Sequence, residues 1–475
     1  MQRSTPRASS AAPSRIAGFA VRRFPPPPDA TTDRSAGNPA GTLRPVESTW
    51  HPTRLSVTSW AIYDLANTIF ALGVGSLYFA EWLTDHRGEL PGWLRGRDTA
   101  DLALTVAVDV AMVVVIFLGP WIGARSDHRG TRVRYLVPMT VVAIVPTFFL
   151  ASIGVVGSLA LFAIALVGFN LGSIVYDAML PDVSTPENVG LVSGIGIAVG
   201  YLGSFVAVAV GALLLDEQGH AAVFRVIAVL FLLFAIPTFL WVRERPRTPE
   251  PGPAPTLRSS IRRLAGSWRK ARTYPGVARF LVGRFLYTDA VNTLIGGYLT
   301  IYAKEELGFT SSDLQLLLTA AITAAIFGGF VGGRYVDRYG PRRLLHAVLY
   351  LWMVAMTIGV IAGATGAKAL AWPLGGLGGL ALGATWAADR VYMQRISPPR
   401  YLGEFYGLYA TVGRFATFLG PLVWGVVVTV AGLPREVALG ALIVFLVVAR
   451  LVLEGVDDAP RHWSAADLTA GASMP

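Results

Sequence analysis

Two short copies of one polar pattern lie inside otherwise apolar stretches of the chain. The first copy is Asp64-x-x-Asn67-Thr68, and from Ser56 to Leu83 the only formal charges are Asp64 and Glu81. On a helix, residues at positions i, i+3 and i+4 share one face. An ionisable group at the depth of a bilayer is costly unless it faces a partner or a water-filled cavity. The pattern therefore predicts a functional site.

The second copy is Asp289-x-x-Asn292-Thr293, again within apolar residues. The repetition predicts a polar site with two sides, one from each copy, that contacts a solute. Tyr63 and Tyr287 stand beside the two carboxylates and are assigned to the same region. Alternatively, one copy of the pattern has a role in helix packing and only the other contacts the solute. The sequence leaves this choice open.

Further charged residues are expected at membrane depth. They are Asp109, Asp177, Arg284, Asp389, Arg390 and Arg414. Buried ion pairs, such as Arg284 with Asp289 or Asp389 with Arg414, would hold helices in register. With Asp64 and Asp289 included, five acids face three bases at these depths, so pairing alone does not account for all of the charges.

The remaining assignments follow from position along the apolar runs. Asp109 has no other charge nearby in the run 102–121, and an unpaired carboxyl group in apolar surroundings can carry a proton at physiological pH. Asp109 is therefore predicted to carry a proton. Arg284 and Arg414 are assigned to the solute or proton pathway. The residues nearer the cytoplasmic ends of their runs are assigned to gating: Asp177, Asp389 and Arg390.

Composition identifies the class of protein that carries these residues. The 475 residues are 53% hydrophobic and 15% charged, whereas soluble proteins carry about a quarter charged residues. There are no cysteines, and the six histidines are isolated in sequence, so we expect no metal site and no cofactor. The net charge of +10 is attributed to basic loops at anionic lipid and not to nucleic-acid binding.

The apolar residues form about twelve runs of membrane-spanning length. Expected spans are 56–82, 100–123, 133–153, 158–180, 190–215, 221–242, 278–303, 312–335, 343–364, 368–392, 403–431 and 435–454. The fold class is therefore an all-α integral membrane protein with two pseudo-symmetric halves of six helices.

The polar segments divide the chain further. We expect a disordered cytoplasmic tail at 1–54, halves at 55–243 and 278–455, and a second cytoplasmic tail at 456–475. The segment 244–277 is interpreted as a cytoplasmic linker with a basic helix on the membrane surface. The arginine-rich loops place the linker and both termini in the cytoplasm.

Two loops also repeat between the halves. Gly, Asp, Gly and Arg recur at identical spacing in 123–132 and 333–343. We interpret Asp127, Arg132, Asp337, Arg338 and Arg342 as a latch, a set of charge contacts across the halves that closes the cytoplasmic face. Parallel halves of six spans are typical of one large transporter architecture.

The paired loops resemble the signature Gly-x-x-x-Asp-Arg/Lys-x-Gly-Arg/Lys-Arg/Lys of the major facilitator superfamily. Within it, three stretches look like the vacuole effluxers linked to autophagy and their bacterial relatives. These are Trp60-x-x-Tyr63-Asp64-x-Ala66-Asn67, then Tyr176-x-Ala178-x-Leu180-Pro181, then 193–203. The resemblance implies the major facilitator fold, alternating access and, from the fungal relatives, amino-acid export.

The functional prediction is a secondary active transporter of a small solute, such as an amino acid, with proton coupling and export favoured. A lipid or lysolipid translocator of the same fold and a membrane receptor without turnover are the alternatives. The glycine-rich stretch Gly375–Ala384 is apolar and lacks a Lys-Ser/Thr end, so it is not a phosphate-binding loop, and no enzymatic activity is expected. We expect a monomer in the bacterial inner membrane whose partners are the solute, protons and membrane lipid.

Overall fold

The computed structural model describes residues 51–91, 99–129, 131–185, 188–245, 254–398, 401–459 and 463. Within these ranges the regular structure is helical throughout, without strands. Eight helical stretches of the described part are long and apolar enough to cross a bilayer, and Val133–Phe149 is a shorter apolar helix. The expected tail 1–54 lies almost entirely outside the described residues, as do most of the second tail and 246–253 of the linker.

The first half contains six helices, with one sharp bend in place of a loop. The helices are α1 (Arg54–Asp85), α2 (Thr99–Arg129), α3 (Val133–Phe149), α4 (Gly154–Ala178), α5 (189–218) and α6 (220–241). Helices α5 and α6 are joined at Gly219, whose φ of 73° is readily adopted only by glycine. The sequence predicted a short loop at 216–220, and the structure replaces it with this single residue.

A helix outside the twelve follows the first half. This linker helix, Leu257–Thr273, begins with a capping box in which Thr256 and Ser259 exchange hydrogen bonds between side chain and backbone. The second half contains α7 (277–305), α8 (Ser311–Tyr339), α9 (Pro341–Thr365), α10 (Ala371–Ile396), α11 (402–430) and α12 (Arg435–Glu454).

The two halves repeat their internal packing. Helix α2 packs on α4, and α8 packs on α10; likewise α3 packs on α4, and α9 on α10. The expected fold, two pseudo-symmetric halves of six membrane helices, is confirmed. We call the side where the linker joins the halves the linker face, and the side of the α1–α2 and α7–α8 connections the distal face.

Helices α1 and α7, which carry the repeated Asp-x-x-Asn-Thr pattern, meet at widened turns. Each helix contains a π-helical segment after the pattern, Ala71–Tyr78 in α1 and Leu294–Tyr298 in α7. Gly297 lies against the carbonyl of Gly75, and the Thr300 hydroxyl donates a 2.8 Å hydrogen bond to the carbonyl of Ser76. The π-helical segment of α1 thus accepts a side-chain hydrogen bond from the other half.

Helices α8 and α10 approach closely because small residues line their contact. A Cβ atom on Gly379 would overlap the backbone carbonyl of Ala321, whereas one on Gly376 would meet nothing within 4 Å. The small residues therefore set the distance between the two helices.

Gly379→Ala is expected to lower stability by about 1–3 kcal/mol, because the backbone of α8 must move to accept the new methyl group. Gly376→Ala is the matched control on the same helix and should unfold at the wild-type temperature or above. Thermal unfolding of the purified variants distinguishes them. Equal midpoints for the two variants would show that this contact does not set the packing distance.

Candidate functional site

A cavity of about 430 Å³ lies between the two halves. Helices α1 and α5 line it from the first half, and α7 to α10 from the second. Most of its wall is apolar, including Trp352 and Trp386 of the second half. Its polar lining residues, apart from the two tryptophans, are Asp64, Thr68, Ser76, Tyr201, Ser204, Thr300 and Arg390.

Asp64 reaches this cavity from the middle of α1. Its carboxylate has no hydrogen-bond or ion-pair partner within the described ranges, and Thr68 donates a 2.9 Å bond only to the Asp64 backbone carbonyl. Gly200 of α5 leaves the room for the carboxylate, since a Cβ there would lie 2.8 Å from Asp64 Oδ2. The first copy of the pattern thus presents its charge to the space between the halves.

Asn67 and Tyr63, unlike Thr68, turn toward protein. Asn67 is 7% exposed, and its side-chain oxygen lacks a hydrogen-bond partner among the described residues. The Tyr63 hydroxyl lies 2.7 Å from the Thr140 hydroxyl, and its ring stacks on Tyr176. Tyr63 therefore packs inside the first half and does not line the cavity.

The second copy of the pattern has a different role, because it supports a break in α11. That helix is interrupted at 416–418, between Leu402–Phe415 and Leu419–Gly425. Asp289 Oδ2 accepts a 2.7 Å hydrogen bond from the backbone N–H of Gly420, and the Asn292 amide donates a 2.9 Å bond to the carbonyl of Ala416. The two side chains satisfy backbone groups on both sides of the interruption.

Arg284 belongs to a buried network of α7, α10 and α11. Its Nε lies 3.1 Å from Asp389 Oδ2, and its guanidinium lies over the ring of Tyr409. The hydroxyls of Tyr287 and Tyr409 donate hydrogen bonds of 2.6 and 2.9 Å to the same carboxylate. This network holds the second half together.

The expected pairs Arg284–Asp289 and Asp389–Arg414 are therefore wrong. Residues five positions apart point to different sides of a helix, so Arg284 cannot meet Asp289 on α7. Asp389 forms its ion pair with Arg284, and Arg414 forms one with Asp177.

Asp109 of α2 lies close to the break in α11. Its Oδ1 and the Oδ1 of Asp289 are both buried without a hydrogen-bond partner among the described residues. The two carboxylates are near enough for their charges to repel. The sulfur of Met112, one turn further along α2, lies 3.5 Å from the hydroxyl of Thr417. Two acids from opposite halves thus lie together with an unsatisfied oxygen each.

The ion pair between Arg414 and Asp177 joins the halves toward the linker face. Arg414 also donates a 3.0 Å hydrogen bond to the carbonyl of Ser173. The Asp177 side chain is 56% exposed, so this contact is open to solvent. Arg390 lines the cavity nearby and lies near enough to attract the carboxylate of Asp64.

In the first repeated loop, Arg132 binds within its own half. It pairs with Asp182 at 3.1 Å and also donates to the carbonyl of Ala178. Glu244, at the end of α6, accepts hydrogen bonds from the backbone N–H groups of Arg132 and Val133 at 2.9 and 2.5 Å. The carboxylate thus satisfies backbone groups at the start of α3.

The second repeated loop shows the same arrangement. The backbone N–H of Arg342 donates a 3.1 Å bond to Asp458, and its guanidinium donates a 2.8 Å bond to the carbonyl of Glu454. Arg338 lies over the ring of Tyr339. These contacts also stay within one half.

The contacts described for Arg132 and Arg342 stay within their own halves, and the latch across the halves stays a prediction. The Arg132 side chain binds Asp182 and the carbonyl of Ala178, whereas the Arg342 side chain binds the carbonyl of Glu454 at the end of α12. The side chains of Asp127 and Asp337 lie outside the described part of the structure.

The halves are also joined at the distal face, by a charge network that was not predicted from the sequence. Arg435 pairs with Asp101 across the halves at 2.6 Å, with 2% and 0% side-chain exposure, and with Glu306 at 2.6 Å. The indole of Trp424 donates a 2.7 Å hydrogen bond to the second oxygen of Asp101. Asp101 and Arg435 stand at the starts of α2 and α12, where end-of-helix charges are common, so sequence alone did not mark them.

Further ion pairs between described residues cross the halves at this face. Lys304 lies 2.8 Å from Asp85, and Arg87 pairs with Glu305. This conformation is therefore closed at the distal face by buried and half-buried charge pairs.

The comparisons with known proteins agree with this architecture. A family model described as "Vacuole effluxer Atg22 like" matches residues 184–460, and the model of the Major Facilitator Superfamily matches residues 65–302. YxiO of Bacillus subtilis, an MFS-type transporter, is 26% identical over 417 residues, which cover 84% of this chain and 94% of the relative. Autophagy-related protein 22 of Coccidioides immitis is 28% identical over 296 residues, 56% of this chain and 48% of that protein.

Solved structures share the fold at low identity. A bacterial homolog of the human lysosomal transporter Spinster, in an inward-facing and unoccupied conformation, has a TM-score of 0.62 at 16% identity. The match covers 86% of this chain and 98% of that one. A D-xylose-proton symporter has a TM-score of 0.63 at 14% identity, covering 85% of this chain and 98% of the symporter.

Proposed function

The chain belongs to the Atg22-like vacuole effluxer family within the major facilitator superfamily, and from this we propose that it is a proton-coupled exporter of a small zwitterionic solute. The family relatives and structural neighbours are transporters. The solute class, the coupling and the direction are our proposal. The observation that carries it is the cavity between the halves, where the carboxylate of Asp64 has no partner among the described residues.

The chemistry of the cavity favours a zwitterion with an apolar body, such as an amino acid. Asp64 of the first half can bind an ammonium group, and Arg390 of the second half can bind a carboxylate. The remaining wall is mainly apolar and includes Trp352, which suits an aliphatic or aromatic side chain. A solute held by one charge from each half contacts both parts that move during alternating access.

Asp109 and Asp289 are the proposed proton site. Two neighbouring carboxylates in a low-dielectric region cannot both be charged at low cost, so the pair is expected to hold a proton. They belong to opposite halves, and Asp289 also supports the interruption of α11. Movement of α11 would therefore change the surroundings of the proton together with those of the solute.

The direction and orientation follow from the loops and from the family. The Arg-rich linker face is proposed to be cytoplasmic in a bacterial plasma membrane. The description of the matching family model names a vacuole effluxer, and we propose export as the direction here. A deletion strain should then retain more of the solute than its parent, measured by metabolite profiling.

The proposed solute class is tested by binding to the purified chain. We expect amino acids with large apolar side chains to raise the thermal unfolding temperature and to compete with one another. The matching compounds with a blocked amino or carboxyl group should not do so. Stabilisation by lysolipids alone would instead support a lipid translocator, and binding without transport would support a receptor.

Asp109→Asn is expected to uncouple transport from the proton gradient, because an amide cannot release a proton. In proteoliposomes the variant should lose accumulation driven by a pH gradient but retain exchange of solute across the membrane. Asp216→Asn, an exposed carboxylate at the distal end of α5, is the control. Full pH-driven accumulation in Asp109→Asn would contradict the assigned role.

A further inference from the structure

Three metal-binding side chains meet at the distal face, away from the cavity described above. Glu81 and Asp85 lie one turn apart near the end of α1, and His220 begins α6. One donor atom from each side chain lies within 4.8 Å of the other two. Spacing along the chain does not predict this group, because His220 is far from the two acids in sequence.

Two donor atoms of this group face each other without hydrogen-bond partners in the described part of the chain. Glu81 Oε2 and His220 Nε2 are buried and lie 3.8 Å apart, too far for a hydrogen bond. Glu81 is only 1% exposed, so water does not readily replace the missing partner. Two bonds of about 2.1 Å, the usual length from Zn²⁺ to imidazole nitrogen or carboxylate oxygen, span such a gap.

The charges around the group come from both halves. The ammonium of Lys304, on α7, lies 2.8 Å from Asp85 Oδ2 and 3.5 Å from Glu81 Oε1. Ser311 of α8 donates a hydrogen bond to Glu81 Oε1 as well. In the conformation closed at the distal face, the ammonium group of Lys304 thus pairs with the carboxylates of Glu81 and Asp85.

We propose that Glu81, Asp85 and His220 form a binding site for a divalent transition-metal ion such as Zn²⁺, for which Lys304 competes. All three ligands belong to the first half, so the site remains complete when α7 moves away. A metal ion that displaces Lys304 removes a contact between the halves, and its binding therefore favours opening of the distal face. The binding itself does not depend on the proposed solute, whereas the coupling to opening rests on alternating access.

The test is titration of Zn²⁺ into the full chain in lipid nanodiscs at neutral pH, with the affinity tag removed. We expect one saturable site in Lys304→Gln that binds about tenfold more tightly than in wild type, because a neighbouring positive charge is gone. Lys368→Gln is the matched control, since Lys368 pairs with Asp313 inside the second half at the same face. It should bind Zn²⁺ as wild type does.

The proposed metal ligands are tested in the Lys304→Gln variant. His220→Gln combined with Lys304→Gln should weaken binding at least about tenfold relative to Lys304→Gln alone. His86→Gln, which alters a histidine bonded to the carbonyl of Trp82, should leave affinity unchanged. Absence of saturable binding in Lys304→Gln, or binding that does not depend on His220, would overturn the proposal.

Discussion

Asp64→Asn is expected to lower solute transport about 10- to 100-fold, because an interaction with a charged group contributes about 1.5–3 kcal/mol. The amide has the same shape as the carboxylate but cannot neutralise an ammonium group. Since the carboxylate has no partner among the described protein groups, its loss should leave the unfolding temperature unchanged or raise it. The measurement is uptake of labelled amino acid by proteoliposomes that contain the purified variant.

The control for this prediction is Asp216→Asn, which removes a carboxylate of the same half that is exposed at the end of α5. It should transport as wild type does. Wild-type uptake by Asp64→Asn would exclude Asp64 from solute binding. Loss of both uptake and folding in Asp64→Asn would instead show that the carboxylate is structural.

Asp101→Asn is expected to open the distal face. Removing the charge from one partner of a buried ion pair costs about 3–5 kcal/mol, since it leaves Arg435 buried without full compensation. A penalty of that size on the closed conformation is enough to shift a two-state equilibrium about 100-fold or more. We expect an opened state to expose Arg435 to water and so to avoid most of this penalty.

The shift can be measured by cysteine labelling, because the natural chain contains no cysteine. Ala80 is 1% exposed and lies against Gly297 of the other half, so Ala80→Cys reports separation of α1 from α7. An impermeant maleimide should label it much faster in Asp101→Asn. Asp313→Asn breaks an ion pair at the same face that does not join the halves, and it should label as the Ala80→Cys parent does. Equal rates in both variants would show that the Asp101–Arg435 pair does not hold the face closed.

The spans and the fold were predictable because apolar runs of bilayer length leave few alternatives. The repeated Asp-x-x-Asn-Thr pattern also marked the two helices, α1 and α7, that meet between the halves. What the pattern could not show is that its copies differ in role. That difference depends on the partner helix: Gly200 leaves Asp64 open to the cavity, whereas the interrupted α11 supplies N–H groups to Asp289.

The interruption of α11 had a signal in the sequence that the span prediction 403–431 passed over. Pro421 has no N–H group, and its ring clashes with the carbonyl four residues earlier, so a continuous helix through 417 is unfavourable. The partners of Arg132, Arg284 and Arg342 had no such signal. The partner of each arginine depends on which helices and helix ends lie together in the fold. Spacing along one helix does not determine pairs of this kind.

Counterflow in proteoliposomes tests alternating access at the Asp64 cavity most directly. Vesicles are loaded with unlabelled amino acid, and the labelled amino acid is added outside without any ion gradient. A carrier should transiently concentrate the label inside the vesicles, and Asp64→Asn should abolish this overshoot while remaining folded. Simple equilibration without an overshoot in the wild-type protein, or binding without entry of label, would contradict transport by alternating access at this site.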